Sequence, residues 1–580
     1  MKTIILLLGL SIISINLYSQ NWLTTGGNNP KNGLSRLTGP STQNQYWQVN
    51  SSNNTLWGNT TLTWGNKFVT SRVTFSPSYR AKLELRDLTN GSLIWEKQIA
   101  DTSIMYAVGF NEDAVYANDY KTGRLYALNI SDGSVKWFIA STMFGGNSGV
   151  AFTNSGDVIT FGKRINKVTG QVMWTNNYII PVGPDESFCV YGNTYYHWTG
   201  SINTPKKLIA IDIISGQTKY TSQDLPGDGD QENDLIIGPD GVIYITRDGG
   251  ALYAFTDNGS AFQLLWSNPA QLIVKGFAKD GTIYSQSTTG RLVRINRANG
   301  NVIDSTVNAY GSQLYTRITT AADSTVFINN GEVGTGKYFA LAPNLQTEKW
   351  NFSAGYNYYS CPALGKEGVL LMIGAGTSIT SYKTPLTNLK PVADFYARGS
   401  ATNNNITYPD IPINFFEQSS YNPTSWQWSF PGSITPTSTQ QNPTGILYLA
   451  TGVYNVTLVA SNSFGQDTLL RSEYILVVNF TGITQTGNDI PAEYKLSQNY
   501  PNPFNPSTKI NFNIPGSAAA QTFLAVYDIL GREAAILVNK SLQPGSYEVT
   551  WNASDYPSGV YFYKLQTTGY TETKKMLLVK

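Results

Sequence analysis

One histidine, two cysteines and a thin scatter of charge are what this 580-residue chain has least of. A single imidazole, His197, excludes zinc sites built from several histidines. The two thiols, Cys189 and Cys361, do not form a Cys-x-x-Cys-His haem-attachment motif. In an oxidising compartment they are open to two readings, one disulfide or two buried free thiols. Charged side chains make up only 13% of the chain and nearly cancel, 40 Lys and Arg against 38 Asp and Glu. That balance supplies neither a basic surface for nucleic acid nor an acidic one. After residue 20 no apolar run approaches the roughly 20 residues that cross a bilayer, so no transmembrane segment is expected. What the chain has in quantity is 53 Gly and 36 Tyr, with aromatics at 13%. Such a composition suits many short strands joined by tight turns, and an all-β protein too long for one core.

The first twenty residues, MKTIILLLGLSIISINLYSQ, put Lys2 ahead of an apolar run from Ile4 to Ile13 and end in polar residues. They read as a secretory signal peptide, 1–20. No cysteine follows the run, which argues against a lipid anchor.

From 21 to 390 the chain repeats a strand, a turn and a second strand that usually closes on Trp: LELRDLTNGSLIW, LYALNISDGSVKW, INKVTGQVMW, LIAIDIISGQTKY, LYAFTDNGSAFQLLW, LVRINRANGNVID, YFALAPNLQTEKW. The turn glycines Gly91, Gly133, Gly170, Gly216, Gly259 and Gly300 are 42, 37, 46, 43 and 41 residues apart. That is the period of a four-stranded propeller blade. Glycine supplies the positive φ of the hairpin, and the closing Trp offers area to bury between sheets. QNQYWQVN (43 to 50) is a Trp strand without its blade, and GVLLMIGAGTSITSYKTP (368 to 385) is a blade without its Trp strand. Joined, they make an eighth blade and leave the ring no free edge.

LYALNISDGSVKW resembles the repeat of PQQ-like propellers, and WLTTGGNNPKNG (22 to 33) the entry segment of that family. The family includes quinoprotein dehydrogenases and an outer-membrane assembly lipoprotein, so the resemblance implies a fold rather than an activity.

Between 391 and 478 the spacing becomes that of a small sandwich. SWQWSFPG (425 to 432), GVYNVTLVASNSFGQDT (452 to 468) and EYILVV (473 to 478) alternate, with Tyr454, Val456, Leu458 and Ala460 on one face. These motifs resemble the PKD domain, an immunoglobulin-like module, with Trp428 and Phe430 in the family's aromatic positions. Pro431-Gly432-Ser433 stands where that family usually has an acidic turn.

A polar linker, 479–493, leads to NYPNPFNPSTKINFNIP. Pro501, Pro503 and Pro506 fix φ and remove donors, which predicts a rigid, extended entry marking a domain boundary. Period-2 strands follow to the end of the chain. The segments NYPNPFNPST, VYDILGRE, LQPGSYEVTW, YPSGVYFYKL and KKMLLVK resemble the type A sorting domain of the type IX secretion system of Bacteroidetes-like bacteria. The resemblance covers 494–580. It implies a translocation address carried by Asn502, Pro503, Phe504, Asn505, Pro506, Gly531, Gly545, Tyr547, Gly559, Tyr561, Lys574 and Lys575, with the type IX machinery as partner.

For chemistry the residues offer little. His197 sits among aromatics in TYYHWTG, a packed setting. Asp228, Asp230 and Glu232 alternate like the first ligands of a calcium loop, but Asn233 and Pro239 occupy the positions that need Gly and Glu. The expectation is therefore three modules and no cofactor: an eight-bladed propeller, a PKD-like sandwich and a C-terminal sandwich that sorts the protein to the cell surface or medium. The protein would bind polysaccharide or a surface protein. The alternative is a polysaccharide-degrading enzyme with carboxylates in the propeller channel.

Overall fold

The computed structural model describes residues 31–579 together with Leu23 and Asn28. It leaves out 51–55, 58–60, 75–79, 100–103, 141–148, 178–187, 200–206, 226–234, 247–250, 312–317, 333–334, 356–360, 374–377, 386, 401, 403, 410, 479–482, 488–489, 530, 532, 554–555 and 568. The signal segment and Asp228, Asp230, Glu232 and Asn233 lie outside the described residues. The chain divides into two compact units.

The first unit comprises residues 1–394 with 418–424 and 459–470. Among its described residues, eight sheets follow one another along the chain, each with four strands in sequence order except at the two ends of the ring. In the second sheet, for example, Met105–Phe110, Val115–Asp119, Arg124–Leu128 and Val135–Ala140 run antiparallel. Ala363–Gly365, Val369–Ile373 and Ser378–Tyr382 form the eighth, and its fourth strand is Gln45–Asn50, paired from Gln45 with Tyr382 to Asn50 with Ser378. The expected eighth blade is thus made from both ends of the repeat. One core runs through the closure, with Leu371 and Ile379 of the eighth blade, Leu62 and Leu85 of the first, and Phe110 and Leu128 of the second.

The burial pattern explains the repeat. Inner strands are buried on both faces, as in Met105–Phe110, whereas outer strands such as Leu93–Lys97 bury little but their Trp. That Trp docks on the next blade. Trp47, Trp95, Trp137, Trp174 and Trp266 donate Nε1–H to the carbonyls of Leu88, Ile130, Lys167, Ile213 and Arg297, at 2.8 to 3.1 Å. Each acceptor lies three residues before a turn glycine: Gly91, Gly133, Gly170, Gly216 or Gly300. Each of those glycines has φ between +69° and +75°. A Cβ on any of them would come within 3.0 Å or less of the docked indole. The glycine therefore answers to two demands, a left-handed turn and a flat seat for the ring.

Gly259 departs from the expected pattern. Tyr220 replaces the Trp of the preceding blade, its hydroxyl goes to Asp257, and the Tyr196 hydroxyl reaches the other carboxylate oxygen at 2.6 Å. The hairpin changes too. Gly259 N–H binds the Asp257 side chain instead of the carbonyl four residues back, and nothing lies within 4 Å of a Cβ built on Gly259.

The second unit comprises 395–417, 425–458 and 471–580. Residues 391–478, expected as one module, are thus shared between the two units. A two-stranded sheet, Phe395–Gly399 with Ile413–Glu417, accompanies a five-stranded one made of Ile406–Thr407, Gly465–Val477, Gly452–Asn462, Ser425–Ser429 and Thr437–Ser438. Phe395, Phe415, Trp428, Phe430 and Tyr474 form its aromatic core, with ring centroids 4.5 to 6.4 Å apart. Gly432 takes φ +85° beneath the Tyr454 ring.

The rest of the second unit is a sandwich of two four-stranded sheets. One is ordered Ile483–Gly487, Gly545–Asn552, Ser507–Ile514, Lys495–Leu496, and the other Glu533–Leu542, Ala520–Tyr527, Gly559–Thr567, Tyr570–Leu578. The segment expected as a linker therefore supplies a strand, Ile483–Gly487, at the edge of the first sheet. Its polar sequence, ITQTG, has the composition of an edge rather than of a core strand.

Candidate functional site in the C-terminal module

The proline-rich segment is not the extended entry that its sequence suggests. It lies along the free edge of the last strand, Tyr570–Leu578, and closes it. Phe504 N–H donates to Leu577 O at 3.0 Å, Val579 N–H returns to Phe504 O at 3.0 Å, and the Asn502 side-chain oxygen accepts from Leu577 N–H at 2.9 Å. Gln498 Nε2 covers Lys575 O at 2.8 Å. Prolines on either side of Asn502 have no N–H to offer the strand, so a side chain and one flanking amide make the contacts. The edge is thereby capped without being extended, which suppresses pairing with other chains.

The anchors of this cap are buried. Phe504 packs on Trp551 with centroids 5.5 Å apart, and Pro506 O accepts from Ala553 N–H at 2.9 Å. Asn499 donates through Nδ2 to Thr508 Oγ1 at 2.9 Å and to Pro501 O at 3.1 Å. Its own N–H donates to the Tyr563 hydroxyl at 2.9 Å, and that hydroxyl donates in turn to Ser497 O at 2.8 Å. Burial pushes the Tyr563 phenol up to about 12. Asn499, Thr508, Trp551 and Tyr563 were not singled out from the sequence, although the alternation of YFYKL marks Tyr563 as inward.

Tyr547 and Tyr561 play matched roles. Each follows a glycine by two residues and donates its hydroxyl to the carbonyl four residues upstream, Tyr547 to Gln543 at 2.6 Å and Tyr561 to Pro557 at 2.8 Å. Tyr454, after Gly452, does the same with Ala450 at 2.8 Å. These are tyrosine corners, which pin a strand to the turn that feeds it. Gly545 and Gly559 begin the strands concerned.

The remaining motif residues lie apart from this cluster or on its surface. Gly531 sits in an exposed turn at φ +76°. Lys574 pairs with Glu572 at 3.0 Å, while Lys575, Asn505, Pro503 and the ring of Tyr500 face solvent. The structure thus gathers Asn502, Phe504, Pro506, Tyr561 and the strand of Lys574 and Lys575 around one edge. Gly531 and Tyr547 serve other turns.

In the propeller, Cys189 and Cys361 are buried thiols, and Cys189 Sγ lies 2.7 Å from Leu235 O. Among the described residues no cluster of three His, Cys, Asp or Glu could hold a metal. His197 is 4% exposed, stacks on Phe188 and lies 3.1 Å from the Tyr195 hydroxyl. Burial, aided by the nearby Lys31 charge, pulls its pKa from 6.5 down to about 3. The unfolded chain takes up a proton near pH 6.5 that the folded one refuses, so this contribution is complete above pH 6.5 and is lost as the pH falls towards 3. Linkage puts the loss at about 2 kcal/mol between pH 6.5 and pH 5. Urea midpoints at the two pH values should show that fall in the wild type, and a clearly flatter response in His197→Phe.

Residues 498–580 match the family of secretion system C-terminal sorting domains. Residues 33–306 match the family described as outer membrane protein assembly factor BamB. Among solved structures, BamB from Moraxella catarrhalis is similar at 13% identity and a TM-score of 0.42, over 59% of this chain and 97% of that one. No curated protein matches the chain. The class is therefore an all-β protein with a BamB-like, PQQ-type repeat. Its tail is a type IX sorting domain, which marks it as secreted or cell-surface and links it to the type IX machinery.

Proposed function

We propose that this is a non-catalytic binding protein of the cell surface or medium. Residues 1–20 direct it to the periplasm by the Sec route, and 494–580 carry it across the outer membrane. In this reading the propeller, 21–390, and the PKD-like module, 391–478, bind polysaccharide or a surface protein, and 479–493 joins them to the address. The twelve motif residues from Asn502 to Lys575 form the address, some by exposure, some by holding the edge cap in place, and Gly545 and Tyr547 by pinning the turn that feeds their strand. The observation that carries the proposal is the match of 498–580 to the sorting family. The lone imidazole, buried and neutral, adds support.

The experiment mixes the mature protein with a panel of insoluble polysaccharides and analyses both the pellet and the soluble products. Retention in the pellet with no new chain ends is expected. New reducing ends would overturn the non-catalytic reading in favour of a channel enzyme.

A further inference from the structure

We infer that the interior of the propeller ring is a peptide-binding site of the strand-addition type, filled in cis by residues 31–37. This goes beyond the sorting and surface-binding reading and does not depend on it.

The first strands of the sheets line the ring, and the N-terminal segment meets them on opposite sides. Leu23 O accepts from Phe110 N–H of the second blade at 2.9 Å. The Lys31 ammonium stands 4.7 Å above the Phe188 ring of the fourth. Asn32 Nδ2 donates to Ile237 O of the fifth at 3.3 Å. From Gly33 onwards the segment runs parallel to Ile318–Thr320 of the seventh blade, bridged at Leu34 and Thr320. Gly33 O accepts from Thr320 N–H at 2.8 Å, Ser35 N–H donates to Thr320 O at 2.9 Å, and Leu37 O accepts from Ala322 N–H at 2.7 Å. Partners at alternate residues are the signature of an added strand.

Side-chain demands accompany the backbone ones. Gly33 has φ +68°, and a Cβ there would lie 2.5 Å from Ile318 O. Leu34 and Leu37 are 1% and 0% exposed and enter separate core clusters. Lys31 is 4% exposed, its charge placed over an aromatic face. The site therefore selects a peptide that is left-handed at a cation and at a glycine two residues on, with an apolar residue next and another three further on. Without the segment, the amides and carbonyls of Thr320, Ala322 and Ile237 would lose these partners, so an incoming strand has hydrogen bonds to gain.

The test uses the full mature chain. Gly33→Val should expel the segment, so trypsin should cut after Lys31 at least about tenfold faster than in the wild type. A fluorescent peptide of residues 31–40 should then bind the variant saturably and not the wild type, and the same peptide with Val for Gly33 should not bind. Where Gly33→Val does not fold, Leu34→Ala loosens the same segment and leaves both Lys31 and the ring intact. Unchanged trypsin resistance in a folded variant, or cutting without peptide binding, would overturn the inference.

Discussion

A chain lacking residues 494–580 should accumulate in the periplasm, with its surface and medium fractions falling to background. This is the largest effect expected of any change to the molecule. The deletion removes the sorting family's match entirely, and with it a sandwich that has its own core of Phe504, Ile510, Trp551, Tyr563 and Met576. Fractionation followed by immunodetection of the propeller reads the result, and protease resistance of the retained protein shows that the propeller itself is folded. Unchanged export would remove the type IX route from the account. A companion deletion of 479–580, which also takes away the edge strand Ile483–Gly487, should behave identically.

The second large effect is expected inside the propeller. Gly300→Ala would place a Cβ at 2.3 Å from the Trp266 ring at a position with φ +72°. Displacing the indole also threatens its bond to Arg297 O. Left-handed strain and overpacking together should cost about 3–5 kcal/mol, read as a lower urea midpoint. Gly259→Ala is the control. Its φ is +87°, but nothing lies within 4 Å, so only the conformational cost of about 1 kcal/mol remains. Equal losses in the two variants would mean that the docked indole adds nothing to the need for glycine.

That contrast also marks how far the sequence could be read. Gly259 keeps the spacing of the other turn glycines, yet the residue that sets its environment is Tyr220, in the preceding blade. The blade count was legible because each blade buries the same face, and so repeats the same residues. The eighth blade was legible because an orphan Trp strand and an incomplete blade complete each other. The path of residues 31–37 through the ring was not, since its partners come from the fourth, fifth and seventh blades and leave no local period. At the tail, the prolines correctly ruled out a central strand. Whether such a segment then runs free or lies on an edge depends on Asn502 meeting Leu577, a contact 75 residues away. The tyrosine corners were visible as Gly-x-Tyr three times over, and only the hydroxyl geometry gives that pattern its meaning.

The closure of the eighth blade has a consequence for how the chain becomes a ring. Strand Gln45–Asn50 is synthesised early, and its partner Ser378–Tyr382 follows more than three hundred residues later. Contacts so distant in sequence form slowly, because a long loop must close before they return any free energy. Seven blades can stack while the first waits with an open flank, and that flank is a sticky edge during the interval. The final seam is therefore expected to be the slow step of assembly, and a holdase that shields the flank should raise the yield of closed rings.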